Sequence, residues 1–334
     1  MRILLTGASG QIGGRLHRLL AAEHDVLAPS RAELDLADTA GLKAAVRDAA
    51  PHLVINAAAW TDVEAAEDDP GAVEINAVAP GVLAAECARR GAALIHFSTD
   101  YVHDGRAPRP YSETDRPRPL NAYGRGKLAG DLAVLAAGAP ALILRLSWIY
   151  DATGRNFLRK IVQAMQERDT VRVVADQRGA PTPAGIVADV VARIVARAHG
   201  DPAVLFAQPS SPPSRVVNLA CRGSTTWHGF ASAIMSEAKQ RGADLRARRI
   251  DPITTAEYRG RAIRPANSRM RLVELRRRFG VTPPHWRAAL RELFAADAAR
   301  ILATEDDAAS AAGDIATRKG LSQRRDDRVP AVTG

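Results

Sequence analysis

The sequence predicts an α/β protein built on a doubly wound parallel sheet, with a smaller C-terminal region beside it. Three observations carry this. Short apolar runs at 2–5, 25–28, 53–56, 93–97 and 141–146 alternate with segments of helical period, the pattern of a parallel sheet with helices on both faces. A glycine cluster separates the first run from the first helix. The chain has 334 residues, 46% of them apolar, which is enough for a large core.

The elements follow in order. Residues 2–5 read as a buried strand, and the helix after them carries Ile12, Leu16, Leu19 and Leu20 on one face. Strands at 25–28 and 53–56 bracket a helix at 39–49. Helix 71–90, strand 93–97, helix 121–137 and strand 141–146 repeat the unit, and right-handed crossovers should join them. Beyond Trp148 the pattern loosens into helix 156–168, strand 171–174, a loop at Gly179-Ala180-Pro181-Thr182-Pro183, and helices at 184–198, 227–241 and 283–296. Residues 207–215 form a proline-rich polar loop. These divisions give a dinucleotide-binding domain over 1–149 and a substrate-binding region over 150–296, which can return segments to the main sheet. Residues 297–334, rich in Ala, Asp and Arg, read as a flexible tail.

Composition narrows the function. Lys and Arg outnumber Asp and Glu by 46 to 37, a formal charge of +9. The two signs interleave, and aromatic residues are only 4%, which argues against a stacking surface for nucleic acid and for an anionic small molecule. Cys87 and Cys221 stand far apart with no metal-ligand spacing. They read as buried thiols of a reducing compartment, and no metal is expected. The first apolar run is too short for a leader, and no stretch could span a bilayer. A cytoplasmic protein without membrane partners is the expectation.

Gly7-Ala8-Ser9-Gly10-Gln11-Ile12-Gly13 lies between the first strand and its helix. Glycines at this spacing allow a tight turn, close approach of backbone to a pyrophosphate, and close helix–strand packing. The helix N-terminus then offers free N–H groups to the anion. This makes the fold Rossmann-type and assigns Gly7, Ser9, Gly10, Gln11, Ile12 and Gly13 to a dinucleotide. The second strand ends at Ala28-Pro29-Ser30-Arg31, without the acid that would hold the ribose of NAD. Arg31 can pair with a 2′-phosphate, so NADPH is expected, with NADH as the alternative. Asp35 and Leu36 fall where adenine would lie. Ala57, Ala58 and Ala59, after Asn56, let the backbone approach the cofactor.

Tyr123 and Lys127 stand four apart, on one face of a predicted helix. A phenol is a poor acid–base group near neutrality, with a reference pKa of about 10, and a neighbouring ammonium should favour the phenolate. Lys127 would supply that charge and bind the cofactor ribose. Ser98 and Thr99 end the fourth strand, at the edge where ligands bind in such sheets. Thr99, Tyr123 and Lys127 are therefore the candidate catalytic residues.

At this point the chain resembles the extended short-chain dehydrogenase/reductases and, within them, the dTDP-4-dehydrorhamnose reductase family. The similarity runs from residue 1 to about 296. It rests on the glycine loop, Asn56 to Ala59, Asp62-Val63-Glu64-Ala65-Ala66-Glu67, Ser98-Thr99-Asp100-Tyr101-Val102, Tyr123 with Lys127, and Arg145-Leu146-Ser147-Trp148. Asp176-Gln177-Arg178-Gly179-Ala180-Pro181-Thr182, Thr225-Thr226-Trp227-His228 and Arg264-Pro265-Ala266-Asn267-Ser268-Arg269 complete it. The resemblance implies NADPH-dependent reduction of the 4-keto group of a dTDP-linked sugar, dTDP-4-dehydro-L-rhamnose. It implies that Thr99, Tyr123 and Lys127 form the catalytic set. Thr61, Val63, Thr99 and Trp148 would meet the substrate, with Asn267 toward its diphosphate. A homodimer is the assembly to test.

Three positions depart from the family pattern. His103 replaces an aromatic, Trp60 stands where Tyr or His is usual, and Arg15 takes the place of a Glu that binds magnesium at a dimer interface in some members. That metal is not carried over, and Trp60 is expected to reshape the sugar pocket. Two alternatives stay open. One is an epimerase, dehydratase or reductase of another nucleotide-linked 4-keto-6-deoxy sugar. The other is a non-catalytic NADP-binding subunit, with Arg276-Arg277-Arg278 and the tail as its partner surface.

Overall fold

The computed structural model describes residues 1–198 and 216–303. Its first half alternates strand and helix: β1 Arg2–Thr6, α1 Gln11–Leu20, β2 Asp25–Leu27, α2 Thr39–Ala49 and β3 Leu53–Asn56. Next come α3 Gly71–Val73, α4 Ala79–Arg90, β4 Ala93–Thr99, α5 Ala122–Ala136 and β5 Ala141–Leu146. The expected helix at 71–90 is interrupted by a π-helical stretch, Glu74–Val78, a device common at functional sites. Its buried Asn76 side chain bonds both the N–H and the carbonyl of Trp60.

All six strands of the main sheet run parallel, in the order β2-β1-β3-β4-β5-β10, where β10 is Val216–Leu219. The strand order reverses between β1 and β3, and the carboxyl edge there is the expected ligand crevice. Side chains alternate across the sheet. Ile3, Leu5, Ile55, Ile95 and Leu144 face α1 and α7 (Ala184–Ala196). Leu4, Val54, Leu94 and Ile143 face α2, α4 and α5. On α1 the packing residues are Leu16 and Leu20, whereas Leu19 is 43% exposed. Leu16 and Leu20 are four apart and share a face; Leu19 is rotated about 100° from Leu20, away from the sheet.

The second region packs its own core. It holds β6 Ile149–Tyr150, α6 Phe157–Glu167, β7 Thr170–Val174, β8 Arg178–Gly179, β9 Thr182–Pro183, β11 Thr225–Thr226 and α8 Trp227–Gln240. After them come β12 Arg249–Ile253, α9 Thr255–Tyr258, α10 Val273–Phe279 and α11 Trp286–Leu302. Tyr150, Leu158, Phe230, Ile234, Trp286, Leu290 and Phe294 fill its centre. The last helix starts three residues later than expected, because Pro283 and Pro284 precede it and His285 caps it. It also continues past 297, which corrects the expected start of the tail. Asp297 kinks it (φ −133°), and the turn beyond buries Ile301. Arg159 and Gln166 take up its last carbonyls, from Arg300 to Ala303. The proline-rich loop at 207–215 and the rest of the tail lie outside the described residues. Cys87 and Cys221 are both buried and unbridged.

Candidate active site

A cleft of about 1580 Å³ opens at the carboxyl edge of the sheet, between the two regions. One wall is the glycine loop. Gly7 has φ +73°, and a Cβ there would lie 2.6 Å from the Ala58 nitrogen. A Cβ on Gly13 would lie 2.1 Å from the Gly7 carbonyl oxygen. Both positions therefore require glycine. Gly10 caps α1 without any side-chain hydrogen bond, so the first N–H groups of the helix are left to an anion. Ser9, Gln11, Ile12, Arg31, Asp35, Leu36 and Ala57 to Ala59 line the same cleft. Glu33 turns its carboxylate onto the Ser30 N–H at 2.7 Å, and the exposed Arg31 is left facing the cleft. The cradle and its cationic rim fit a dinucleotide phosphate.

Thr99, Tyr123 and Lys127 reach the cleft from β4 and α5. Asn121 starts α5 by accepting the Gly124 N–H at 2.7 Å. Gly124 lets the helix approach the chain, since a Cβ there would lie 2.4 Å from the Tyr101 carbonyl oxygen. The Thr99 hydroxyl stands 3.2 Å from Asp100 Oδ1 and within hydrogen-bonding reach of the Tyr123 hydroxyl. The phenol of Tyr123 is not lowered as its spacing from Lys127 suggested. Burial pushes it up to about 12, and the charges of Asp100 and Asp131 add to this, against the Thr99 hydrogen bond. A phenol in that range stays protonated and is a proton donor at neutral pH. Burial brings the Lys127 ammonium down to about 8, opposed by Asp131.

Asp100 and Ser147 stand in the Ser98–Val102 and Arg145–Trp148 motifs with no role of their own assigned from sequence. Burial raises the Asp100 carboxyl to about 6, while hydrogen bonds from Ser268, Ser147 and Thr99 hold it down; Ser147 donates to it at 2.8 Å. Across the cleft, Trp148 lies in the left-handed region (φ +48°), a conformation a bulky residue keeps only when its surroundings enforce it. Its indole stacks on Trp227 at 3.5 Å with the planes 3° apart. Behind it, a Cβ on Gly179 would fall 2.3 Å from the ring. Trp227 in turn donates to Gln177 at 3.1 Å. At the far end, Glu64 accepts the N–H groups of Arg261 and Ala262 and pairs with Arg264. Thr61, Val63, Glu64, Tyr258 and Arg264 line that end.

Asn267 is not among the residues lining the cleft. Its amide donates to the carbonyls of Ala107 and Arg109 at 2.7 and 2.9 Å and clasps that loop. Trp60 does not line the cleft either; its indole N–H donates to the Asp62 carbonyl at 3.1 Å. His103 is buried and stacked on Tyr111, with ring centroids 4.2 Å apart. Arg15 forms a paired hydrogen bond to Asp151, tying α1 to the second region.

Known proteins are similar to this chain over most of its length. The family model described as the RmlD substrate binding domain matches residues 1–299. A dTDP-4-dehydrorhamnose reductase of Burkholderia thailandensis is 44% identical over 293 residues, 87% of this chain and 97% of that protein. The enzyme of the same name from Escherichia coli K12 is 35% identical, over 88% of this chain and 97% of its own. Among solved structures, a Bacillus anthracis dTDP-4-dehydrorhamnose reductase in complex with NADP superposes with a TM-score of 0.79 at 30% identity. That match covers 88% of this chain and 99% of the other.

Proposed function

This chain belongs to the RmlD substrate-binding-domain family, and from that premise we propose that it reduces the 4-keto group of dTDP-4-dehydro-L-rhamnose with NADPH. The observation that carries the reading is the meeting of Thr99, Tyr123 and Lys127 with the glycine cradle and Trp148 in one cleft. NADPH, when bound, supplies the hydride that the ketone carbon accepts. The glycine loop and the N-terminus of α1 would hold its pyrophosphate, Arg31 would pair with the 2′-phosphate, and the small Ala57 to Ala59 would let the backbone approach it. NADH would lack the group that Arg31 recognises.

Tyr123 donates a proton to the carbonyl oxygen as charge develops there, which is general acid catalysis. The Thr99 hydroxyl donates a hydrogen bond to the same oxygen. Lys127 holds a positive charge beside Tyr123 and favours its phenolate once the proton has left. Trp148, stacked on Trp227, would line the sugar side of the cleft, with Thr61 and Val63 further along it. No helix among the described residues is long and apolar enough to cross a membrane. The test incubates the protein with NADPH and dTDP-4-dehydro-L-rhamnose, follows cofactor absorbance and identifies the product. Stoichiometric loss of NADPH with formation of dTDP-L-rhamnose is expected. An unchanged ketosugar, or its epimer formed without NADPH consumption, would overturn the reading.

A further inference from the structure

Beneath the cleft, three polar side chains stand abreast on adjacent strands. Thr6, Asn56 and His96 are register partners on β1, β3 and β4. All three are almost fully buried. They form a chain: Thr6 to Asn56 at 2.7 Å, Asn56 to His96 Nδ1 at 3.2 Å, and His96 Nε2 to Lys127 Nζ at 3.4 Å. One helical turn beyond Lys127, Asp131 is 1% exposed. Its Oδ2 accepts from Ser98 at 2.6 Å and lies 3.8 Å from Arg145 Nε. Its Oδ1 faces His96 Nε2 at 3.8 Å and accepts no hydrogen bond among the described residues.

We infer that His96 and Asp131 are positioning residues for Lys127: the row from Thr6 to His96 sets where the ammonium sits, and Asp131 is its counter-charge. A polar row is costly in a dry sheet interior unless each member is bonded. An ammonium only donates, so its bond to His96 requires a lone pair on Nε2 and the proton on Nδ1; the Asn56 amide, whose Nδ2 faces Nδ1 while its oxygen accepts from Thr6, must then turn its oxygen to His96 and let the Thr6 hydroxyl accept from Nδ2. Burial and the neighbouring Lys127 push the His96 imidazolium well below its ordinary range, so the ring stays neutral and can accept. The other titratable groups nearby are Tyr123 on α5, Arg145 on β5 and Asp100 after β4. Glu67 is occupied by the Ala122 N–H at 2.7 Å, and Glu74 is exposed. Asp131 is thus the carboxylate shared by two buried cations, and removing its charge leaves both without it.

The inference deepens the reductase reading, and its main test needs no substrate. The chain has five lysines, so full-length protein carrying 13C-ε-lysine gives a short spectrum in which Lys127→Met identifies one signal. That signal should titrate near pH 8 in the parent. In Asp131→Asn its midpoint should fall by about 1 pH unit or more, and His96→Leu should lower it too. In the assay, the alkaline limb of kcat/KM should move down with the midpoint. A purely structural role predicts lower activity with an unmoved midpoint, and that result in a folded variant overturns the inference. If Asp131→Asn does not fold, His96→Leu decides alone. If no ketosugar is reduced by the parent, the reductase reading fails while the titration still decides this one.

Discussion

The two sides of the cleft are built from opposite materials. On the sheet side, Lys127, His96, Asn56 and Asp131 form a buried polar chain anchored on strands and on α5. On the other side, Trp148 stacked on Trp227, with Phe157 tilted against the latter, forms an aromatic wall carried by loops and helix starts. The polar side holds its charged groups in fixed places, because a misplaced buried charge is expensive. The aromatic side offers area and shape, and its cost is one residue in a left-handed backbone. On the proposed function, proton chemistry falls to the sheet side and substrate shape to the aromatic side.

The sharpest way to break this division is at the proton donor. Tyr123→Phe should lower kcat by about 10²–10⁴-fold while NADPH affinity, measured by fluorescence titration, stays at the parental value. Reduction at the parental rate would remove Tyr123 from its role. Next in size, Arg31→Ala should raise the KM for NADPH by roughly ten- to a hundredfold, the loss of one charge-assisted bond, with little change for NADH. Equal losses with both cofactors would place Arg31 in solvent instead. On the aromatic side, Trp227→Ala should raise the KM for the sugar by up to about tenfold, the scale of one aromatic stack, and leave kcat nearly intact. A fall in kcat alone would merge the two sides into one machine.

The smallest effect is the pH response of the parent enzyme. Lys127 has a lowered pKa near 8 in the free protein, so its positive charge is complete below that value and lost above it. On the sheet-side account kcat/KM is flat through pH 7 and falls to about half near pH 8. A limb that rises through pH 8 would mean that a neutral lysine is the active form.

The same contrast explains what could be read from residues alone. Strands β3 and β5, helix α2 and the glycine loop announce themselves through local periodicity and turn chemistry, and they lie where that signal puts them. Tyr123 and Lys127 were legible because a helix brings residues four apart together. His96 and Asp131 were not, because their meeting depends on strand register and on how α5 lies across β4. Strand β10, only four residues long after a polar, proline-rich stretch of sequence, gave no periodicity to detect. The left-handed backbone of Trp148 follows from Gly179 and Trp227, both distant in sequence. Asn267 shows the limit of motif spacing: the segment lies near the cleft, but its amide turns to the loop at 107–109.

The central claim is that a hydride passes from NADPH to C4 of the sugar while Tyr123 protonates the oxygen. It is tested most directly with NADPH carrying deuterium at the transferable position of the nicotinamide. The account predicts one deuterium at C4 of the product for each cofactor consumed, and almost no labelled product from Tyr123→Phe in the same time. Product without deuterium at C4, or turnover without loss of NADPH, would contradict it.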